Sequence, residues 1–250
     1  MRPFNAMRLR KTSSLSGLPA AILADSPWAY YQLNEPSGST TAADSSPNGR
    51  TLTRMGGAAF GFPAVVAGAG TSMRVVKPDS RVLSSAYGAS VQGNFKGDKP
   101  VSICVLAKMA ELGGVLVHVG DFAVSGSQGF FLVHSATGSF GMGAFTSAGW
   151  SYVQSPAGAL VVGQVAMLHV TRSVGGQVRI YKNGTLVQSG SLLPIIVSSA
   201  AGRVSVGTSS ESNGPVDPSA GDIQHAAIFN STLSPERVIA HATAAGFAPL

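Results

Sequence analysis

A single cysteine, Cys104, stands in 250 residues, so no disulfide can close within the chain and the redox compartment is not readable from it. Charge is scarce as well. Lys, Arg, Asp and Glu make up 11% of the chain, against roughly 25% in an average soluble protein. That excludes a long-helix or coiled-coil protein, which would be rich in Glu, Lys and Arg. Disorder is excluded too, because 44% hydrophobic residues with so few charges can bury apolar surface. No run approaches the ~20 consecutive apolar residues of a membrane-crossing helix, so no membrane partner is expected.

Paired acids are also missing. Glycan hydrolysis needs two carboxylates flanking the scissile bond at ~5–10 Å, which on a strand means i and i+2 or i+4 on one face. The strands contain no Glu-x-Asp or Glu-x-x-x-Glu pair, and acids such as Asp79, Asp98, Asp121, Glu211 and Asp217 stand singly, mostly in loops. The phosphate-loop, Gly-x-Ser-x-Gly and His-Glu-x-x-His patterns are absent. His118, His134, His169 and His225 fall in or beside strands. They read either as histidines satisfied within the fold or, if the fold gathers them, as a zinc site. The strand context of Cys104 points to a buried, inert thiol. Catalysis is not expected.

What the chain does have is glycine, 31 residues of it, and alternation of period two. Val101, Ile103, Val105, Ala107 and Met109 alternate with Ser102, Cys104, Leu106 and Lys108, which predicts a strand over 101–109. Further strands are predicted over 115–119, 130–133, 140–145, 150–153, 165–171, 178–182, 185–187, 203–206 and 223–229. Asn183-Gly184 between two of them is a hairpin signal, because a type I′ turn needs positive φ at both central positions. Short strands separated by Gly/Ser turns indicate an all-β sandwich or jelly roll. Two helical segments are predicted, a turn over 19–24 and a helix over 235–245. Ser234 suits the N-cap of the second, Pro235 its first position and Gly246 its stop. One domain is expected over 18–250, preceded by an arm over 1–17.

The net charge of +6 is concentrated in that arm. Arg2, Arg8, Arg10 and Lys11 place four cations in the first eleven residues with no acid among them, leaving +2 for the remainder. No apolar stretch of 7–15 residues follows, so the arm does not read as a secretory signal. A basic arm of this kind can bind nucleic acid, an anionic membrane or an acidic protein surface; the alternative is a solvated, disordered tail. Arg74, Lys77, Arg81, Lys96 and Lys99 form a looser basic region interrupted by Asp79 and Asp98. Without a groove-reading motif, sequence-specific nucleic acid is not expected as a partner.

Several segments carry a family pattern: 21–27 with 29–38, Ala43-Asp44-Ser45-Ser46-Pro47-Asn48-Gly49, and His169-Val170-Thr171-Arg172 followed by 178–184. Gly221-Asp222-Ile223, Ala227-Ile228-Phe229-Asn230 and Leu233-Ser234-Pro235-Glu236-Arg237 complete it. Together they resemble the laminin-G-like, concanavalin-A-like jelly rolls found in bacteriophage and actinobacterial proteins, over about residues 18–246. The sequence departs from that pattern where Leu106 and Val165 stand in place of tryptophans, and where Gln224 and His225 stand in place of two acids. The resemblance implies a concanavalin-A-like sandwich. It also implies a structural Ca²⁺ in some relatives, for which Asp44, the Asn48 amide and Asp222 are the remaining donors here. The alternative for Asp44 and Asn48 is a turn held by side-chain to backbone hydrogen bonds.

Two functions follow as expectations. The sparse charge, the basic arm and the resemblance point to a non-enzymatic bacteriophage virion protein, a decoration, cement or tail-accessory subunit. It would sit on the particle surface, dock on capsid or tail proteins through Arg2, Arg8, Arg10 and Lys11, and form a homo-oligomer. The alternative is a carbohydrate-binding module. Its glycan platform would be Trp150 and Tyr152, which share one face of a strand, joined by Tyr87 and Phe95 from the loop-rich stretch 87–99. Set against that platform is packing of the same aromatics on the core or on a neighbouring subunit.

Overall fold

The alternating segments pair into two antiparallel sheets laid face to face. The computed structural model describes residues 17–66, 70–78, 80–83, 87–121, 128–197, 202–209 and 217–248. The arm residues Arg2, Arg8, Arg10 and Lys11 therefore lie outside the described residues. In chain order the elements are α1 (Gly17–Leu23), β1 (Ala29–Tyr31), β2 (Thr41–Ala42), β3 (Leu52–Gly56), β4 (Ala59–Pro63), β5 (Thr71–Val75), β6 (Ser80–Leu83) and α2 (Gly88–Phe95). They continue with β7 (Val101–Glu111), β8 (Gly114–Gly120), β9 (Phe130–His134), β10 (Phe140–Thr146), β11 (Gly149–Gln154) and β12 (Val165–Arg172). The last are β13 (Gln177–Lys182), β14 (Thr185–Ser191), β15 (Arg203–Val206), β16 (Ala220–Phe229) and α3 (Pro235–Ala244). One sheet runs β14-β13-β12-β7-β16-β5-β4 with β1 also paired to β16; the other runs β11-β10-β9-β8-β15-β6-β3-β2.

The all-β jelly-roll reading holds. Asn183 (φ 52°) and Gly184 (φ 85°) make the two-residue turn between β13 and β14, pairing Lys182 with Thr185. The Asn183 side chain also accepts a hydrogen bond from the Met167 N–H at 2.9 Å, which fixes the turn to β12. Helix α3 begins at the Ser234 cap, whose hydroxyl accepts from the Arg237 N–H, and ends before Gly246 at φ 88°. Two features differ from expectation. The first eighty-odd residues add six short strands to the single helical turn predicted there. Residues 88–95, read as loop, form α2. Its two glycines are poor helix formers, but Val91 and Phe95 lie one turn apart and are both fully buried, so tertiary packing overrides local propensity.

Strand β7 is the centre of the packing. Val101, Ile103, Val105, Ala107 and Met109 face the core between the sheets, with Phe130, Leu132, Phe140 and Met142 opposite. Its other face is covered as well: Cys104 and Leu106 join Leu18, Ile22, Phe229 and Val238 in a second apolar cluster beneath α1 and α3. Arg237 Nε donates to Asp25 Oδ1 at 2.7 Å and pins the two helices together. The fully buried Arg172 closes one end of the sandwich. Its guanidinium donates to the Lys99 carbonyl at 2.8 Å and to Asp98 Oδ1 at 2.9 Å, while Asp98 Oδ2 accepts from the Gly175 N–H.

All five histidines are buried. Desolvation pushes His118, His134 and His225 down to about 4, and lowers His169 and His241 as well. In the unfolded chain the same groups titrate near 6.5. Their folded pKa is depressed, so the unfolded state takes up protons that the native state refuses. Stability is therefore full above pH 6.5 and is lost as pH falls through the window from 6.5 to about 4, at roughly 1.4 kcal/mol per pH unit for each histidine. Urea midpoints measured across that window should fall steeply; a flat profile between pH 6.5 and 5 would contradict the assignment of neutral, buried imidazoles.

Candidate functional site

The period of two along β11 sends Trp150 and Tyr152 off the same face, away from the core residue Val153. They are the two large aromatics left open to solvent among the described residues, Trp150 by 37% and Tyr152 by 51%. Neither hangs free. The Trp150 ring packs on Phe131 at 5.3 Å and edge-on to Phe145 at 5.1 Å between centroids, and Tyr152 meets Phe131 edge-on at 5.9 Å. Phe131 is buried beneath them and touches His118 at 5.9 Å. The result is a rigid apolar shelf across β11, β10, β9 and β8, with edge-to-face geometry that suits the ring quadrupoles.

Gly143 makes the shelf possible. It lies between Phe131 on β9 and Tyr152 on β11 in the strand register. A Cβ there would collide with the Phe131 ring and stand 2.9 Å from Tyr152 Cε1. The missing side chain lets Phe131 lie across β10 and support both exposed rings. Polar character comes from one side: burial raises the Tyr152 phenol above its ordinary range, and the nearby Asp217 carboxylate raises it further. The phenol stays protonated and can donate. Chemically the shelf offers two flat apolar faces and one hydroxyl at its border, which is suited to binding an amphipathic ring.

Tyr87 does not join it. It is half-buried on α2's N-terminal side, donates to the Thr51 carbonyl at 3.3 Å and packs against the core near β3. That places it toward the edge of the sheet opposite β11, because β3 and β11 lie at nearly opposite ends of the strand order. Phe95 is wholly inside, edge-on to Trp28 and Phe130 at 5.1 Å each. Conversely, Phe131 and Phe145 belong to the shelf although their strands read as core. The signal for them was on the neighbouring strand: Gly141 and Gly143 alternate with the core residues Met142 and Ala144. Of the two glycines, Gly143 is the one whose missing side chain leaves room for a ring to cross.

The three oxygen donors do not form one cage. Asp44 Oδ1 accepts from the N–H groups of Tyr30 and Ser46, and Oδ2 from the Ser46 hydroxyl and the Arg50 N–H, all at 2.8–2.9 Å. The Asn48 amide donates to the Trp28 carbonyl at 3.0 Å. These two residues hold a turn, the alternative weighed for them above. Asp222 is gripped by the Arg74 fork at 2.7 and 3.0 Å. It sits four positions along β16 from Ala226, the partner of Tyr31 beside Asp44; a bulge at His225 takes up one of them, which leaves roughly 10 Å of strand. The two carboxylates expected to hold Ca²⁺ are thus committed, Asp44 to the chain's own hydrogens and Asp222 to a guanidinium.

A cleft of about 490 Å³ opens beside that turn, lined by Trp28, Asn48, Arg50, Asn94 and Asn230 among others. Several of its polar groups are engaged within the protein. Arg50 lies over the Trp28 ring at 4.0 Å and donates to the Trp28 carbonyl and Ser90, and Asn230 donates to Asn94 at 2.8 Å. A Cys–His–Asp set of the composition used by thiol enzymes also exists, Cys104 with His241 and Asp25. Its cysteine is wholly buried, and desolvation pushes the thiol up to about 12. It is neither a thiolate nor open to substrate.

Known structures share this architecture. The binding domain of botulinum neurotoxin serotype D superposes with a TM-score of 0.62 at 11% identity, over 88% of this chain and 52% of that one. The serotype D ligand-binding domain in complex with N-acetylneuraminic acid gives 0.64 at 12% identity, over 89% and 52%. The CBM40 of the Ruminococcus gnavus IT-sialidase, bound to α2,3-sialyllactose, gives 0.54 at 16% identity, over 68% and 95%. The chain thus spans about half the length of the neurotoxin chains it matches. No curated protein matches it by sequence. Residues 83–239, from β6 to the middle of α3, match the concanavalin A-like lectin/glucanases superfamily, and the chain belongs to that family.

Proposed function

We propose that the protein is a non-catalytic glycan-binding module, and that the sugar stacks on Trp150 and Tyr152. The observation that carries this reading is the exposed aromatic pair held immobile on the buried Phe131. A pre-formed surface of that kind loses little conformational freedom on binding. The Tyr152 hydroxyl supplies a hydrogen bond at its border. The likeness to a sialyllactose-bound module and to an N-acetylneuraminic-acid-bound domain supports the ligand class, while identities of 16% and 12% leave the particular sugar to experiment.

A glycan array followed by calorimetry on the best ligand tests this directly. Trp150→Ala and Tyr152→Ala should each weaken binding by about tenfold or more, a loss of roughly 1.4 kcal/mol, in protein that still unfolds cooperatively. Gly143→Val should weaken it too by displacing Phe131, although position 143 presents no side chain of its own to ligand. An array with no hits, or full affinity in Trp150→Ala, overturns the reading.

The basic arm favours a second proposal, that the chain is a bacteriophage virion subunit docked through Arg2, Arg8, Arg10 and Lys11. This rests on the arm's four cations, the 11% charge content and the resemblance of the sequence to phage jelly rolls; the solved structures named above are not virion proteins. The two proposals are compatible, with the aromatic shelf turned outward. Full-length protein should cosediment with parent particles in low salt and release in high salt, while protein lacking residues 1–17 stays in the supernatant. Cosedimentation independent of the arm, or none at all, removes this second reading.

A further inference from the structure

The second apolar cluster, beneath α1 and α3, contains a group of polar side chains that the aromatic shelf does not use. Cys104 on β7 stands directly opposite His169 on β12, so both project from the same face of the sheet. His241 comes down onto them from α3, its ring stacked on His169 with centroids 5.5 Å apart. One nitrogen of each imidazole and the Cys104 sulfur lie within 4.8 Å of one another, and all three residues are buried completely.

The hydrogen bonds around this group are those of a ligand set. His241 Nε2 faces Asp25 Oδ2 at 2.8 Å and the Ala21 carbonyl at 3.2 Å, both acceptors, so Nε2 carries the proton. That turns the Nδ1 lone pair inward, toward His169 Nε2 at 3.3 Å. A carboxylate fixing the outer nitrogen of an imidazole is the usual support of a metal-binding histidine. With His241 Nδ1 accepting, His169 Nε2 donates to it in the metal-free protein; an ion held between the two nitrogens displaces that proton to His169 Nδ1, a buried atom with no other partner. The separation of 3.3 Å between the two nitrogens is also close to the edge of a coordination polyhedron with bonds of ~2.0–2.1 Å, roughly 3.3–3.5 Å.

The geometry points to Cys104, His169 and His241 as a buried binding site for a thiophilic d¹⁰ metal ion, Cu⁺ or Zn²⁺, with Asp25 as its outer support. A thiolate with two imidazoles selects these ions over the oxygen-seeking Ca²⁺ and Mg²⁺. Charge favours the monovalent ion. Asp25 is already neutralised by Arg237 at 2.7 Å, so a Cys104 thiolate balances Cu⁺ fully and leaves Zn²⁺ with one positive charge in an apolar setting. Binding releases the thiol proton to solvent, and the metal enters while α1 and α3 are open or during folding.

The test uses the full chain, purified metal-free and reduced. It is titrated anaerobically with Cu⁺ against a chromophoric chelator, with Zn²⁺ against another, and with Co²⁺ as a spectroscopic probe. Both native protein and protein refolded with each ion are measured. The expected result is about one ion per chain, a higher thermal midpoint, and a thiolate-to-Co²⁺ charge-transfer band in the near ultraviolet. Cys104→Ser should abolish the band and weaken Cu⁺ or Zn²⁺ at least about a hundredfold. If that variant does not fold, the band in the unmodified protein decides alone. The inference fails if neither native nor refolded protein takes up Cu⁺ or Zn²⁺, if Co²⁺ binds without the band, or if Cys104→Ser keeps full affinity.

Discussion

Because the residues of β7 are apolar on both sides, the sheet that contains it needs cover on both sides, and most of the architecture answers that need. One face takes the second sheet, whose core residues Phe130, Leu132, Phe140 and Met142 oppose Ile103 and Val105. The other face takes the two terminal helices, with Leu18, Ile22 and Val238 set against Cys104 and Leu106. A strand buried on two faces is strongly specified in register, since a slip of one residue exchanges its faces. The Asn183–Gly184 turn locks the neighbouring hairpin to β12 by the same logic, through a side-chain hydrogen bond rather than through apolar packing.

The two polar regions of the molecule follow from how each face is covered. Over β9, β10 and β11 the outer face of the second sheet carries no helix among the described residues. Phe131 is buried there with Trp150 and Tyr152 packed on it, and both of those rings reach solvent. Beneath α3 the covering is complete, and every polar atom brought inside must find a partner within the protein. Tyr30 meets this by pairing its hydroxyl with His225 Nδ1 at 2.7 Å, and His241 by facing Asp25. One nitrogen of His169 does not. An exposed aromatic shelf and a closed Cys/His cluster are therefore products of the same fold at different degrees of cover.

Much of this was legible from local pattern. The strands of residues 101–229 and the helix after Ser234 carry their periods and caps in the sequence, and the structure has them close to the expected bounds. So does the shared face of Trp150 and Tyr152, which period two dictates. The first eighty residues were harder, because two- to five-residue strands are too short to show a period. Helix α2 was missed because its glycines argue against it and only the burial of Val91 and Phe95 argues for it. Residue type and a loop-rich stretch group Tyr87 and Phe95 with the shelf, but neither tells which edge of a sheet a loop returns to. Asp222 fits an oxygen cage by type, but the strand register puts Arg74 opposite it.

The sequence alone determined the class of fold, the hairpin at Asn183–Gly184, the C-terminal cap and the direction of Trp150 and Tyr152. These depend on φ preferences and side-chain alternation, which act within a few residues. Only the tertiary structure decided that Phe131 would lie across Gly143, and that Asp25, Cys104, His169 and His241 would meet. His169 and His241 are 72 residues apart, and Asp25 and His241 are 216 apart. Contacts at such separations are set by strand order and by the docking of α1 and α3, which no local period encodes.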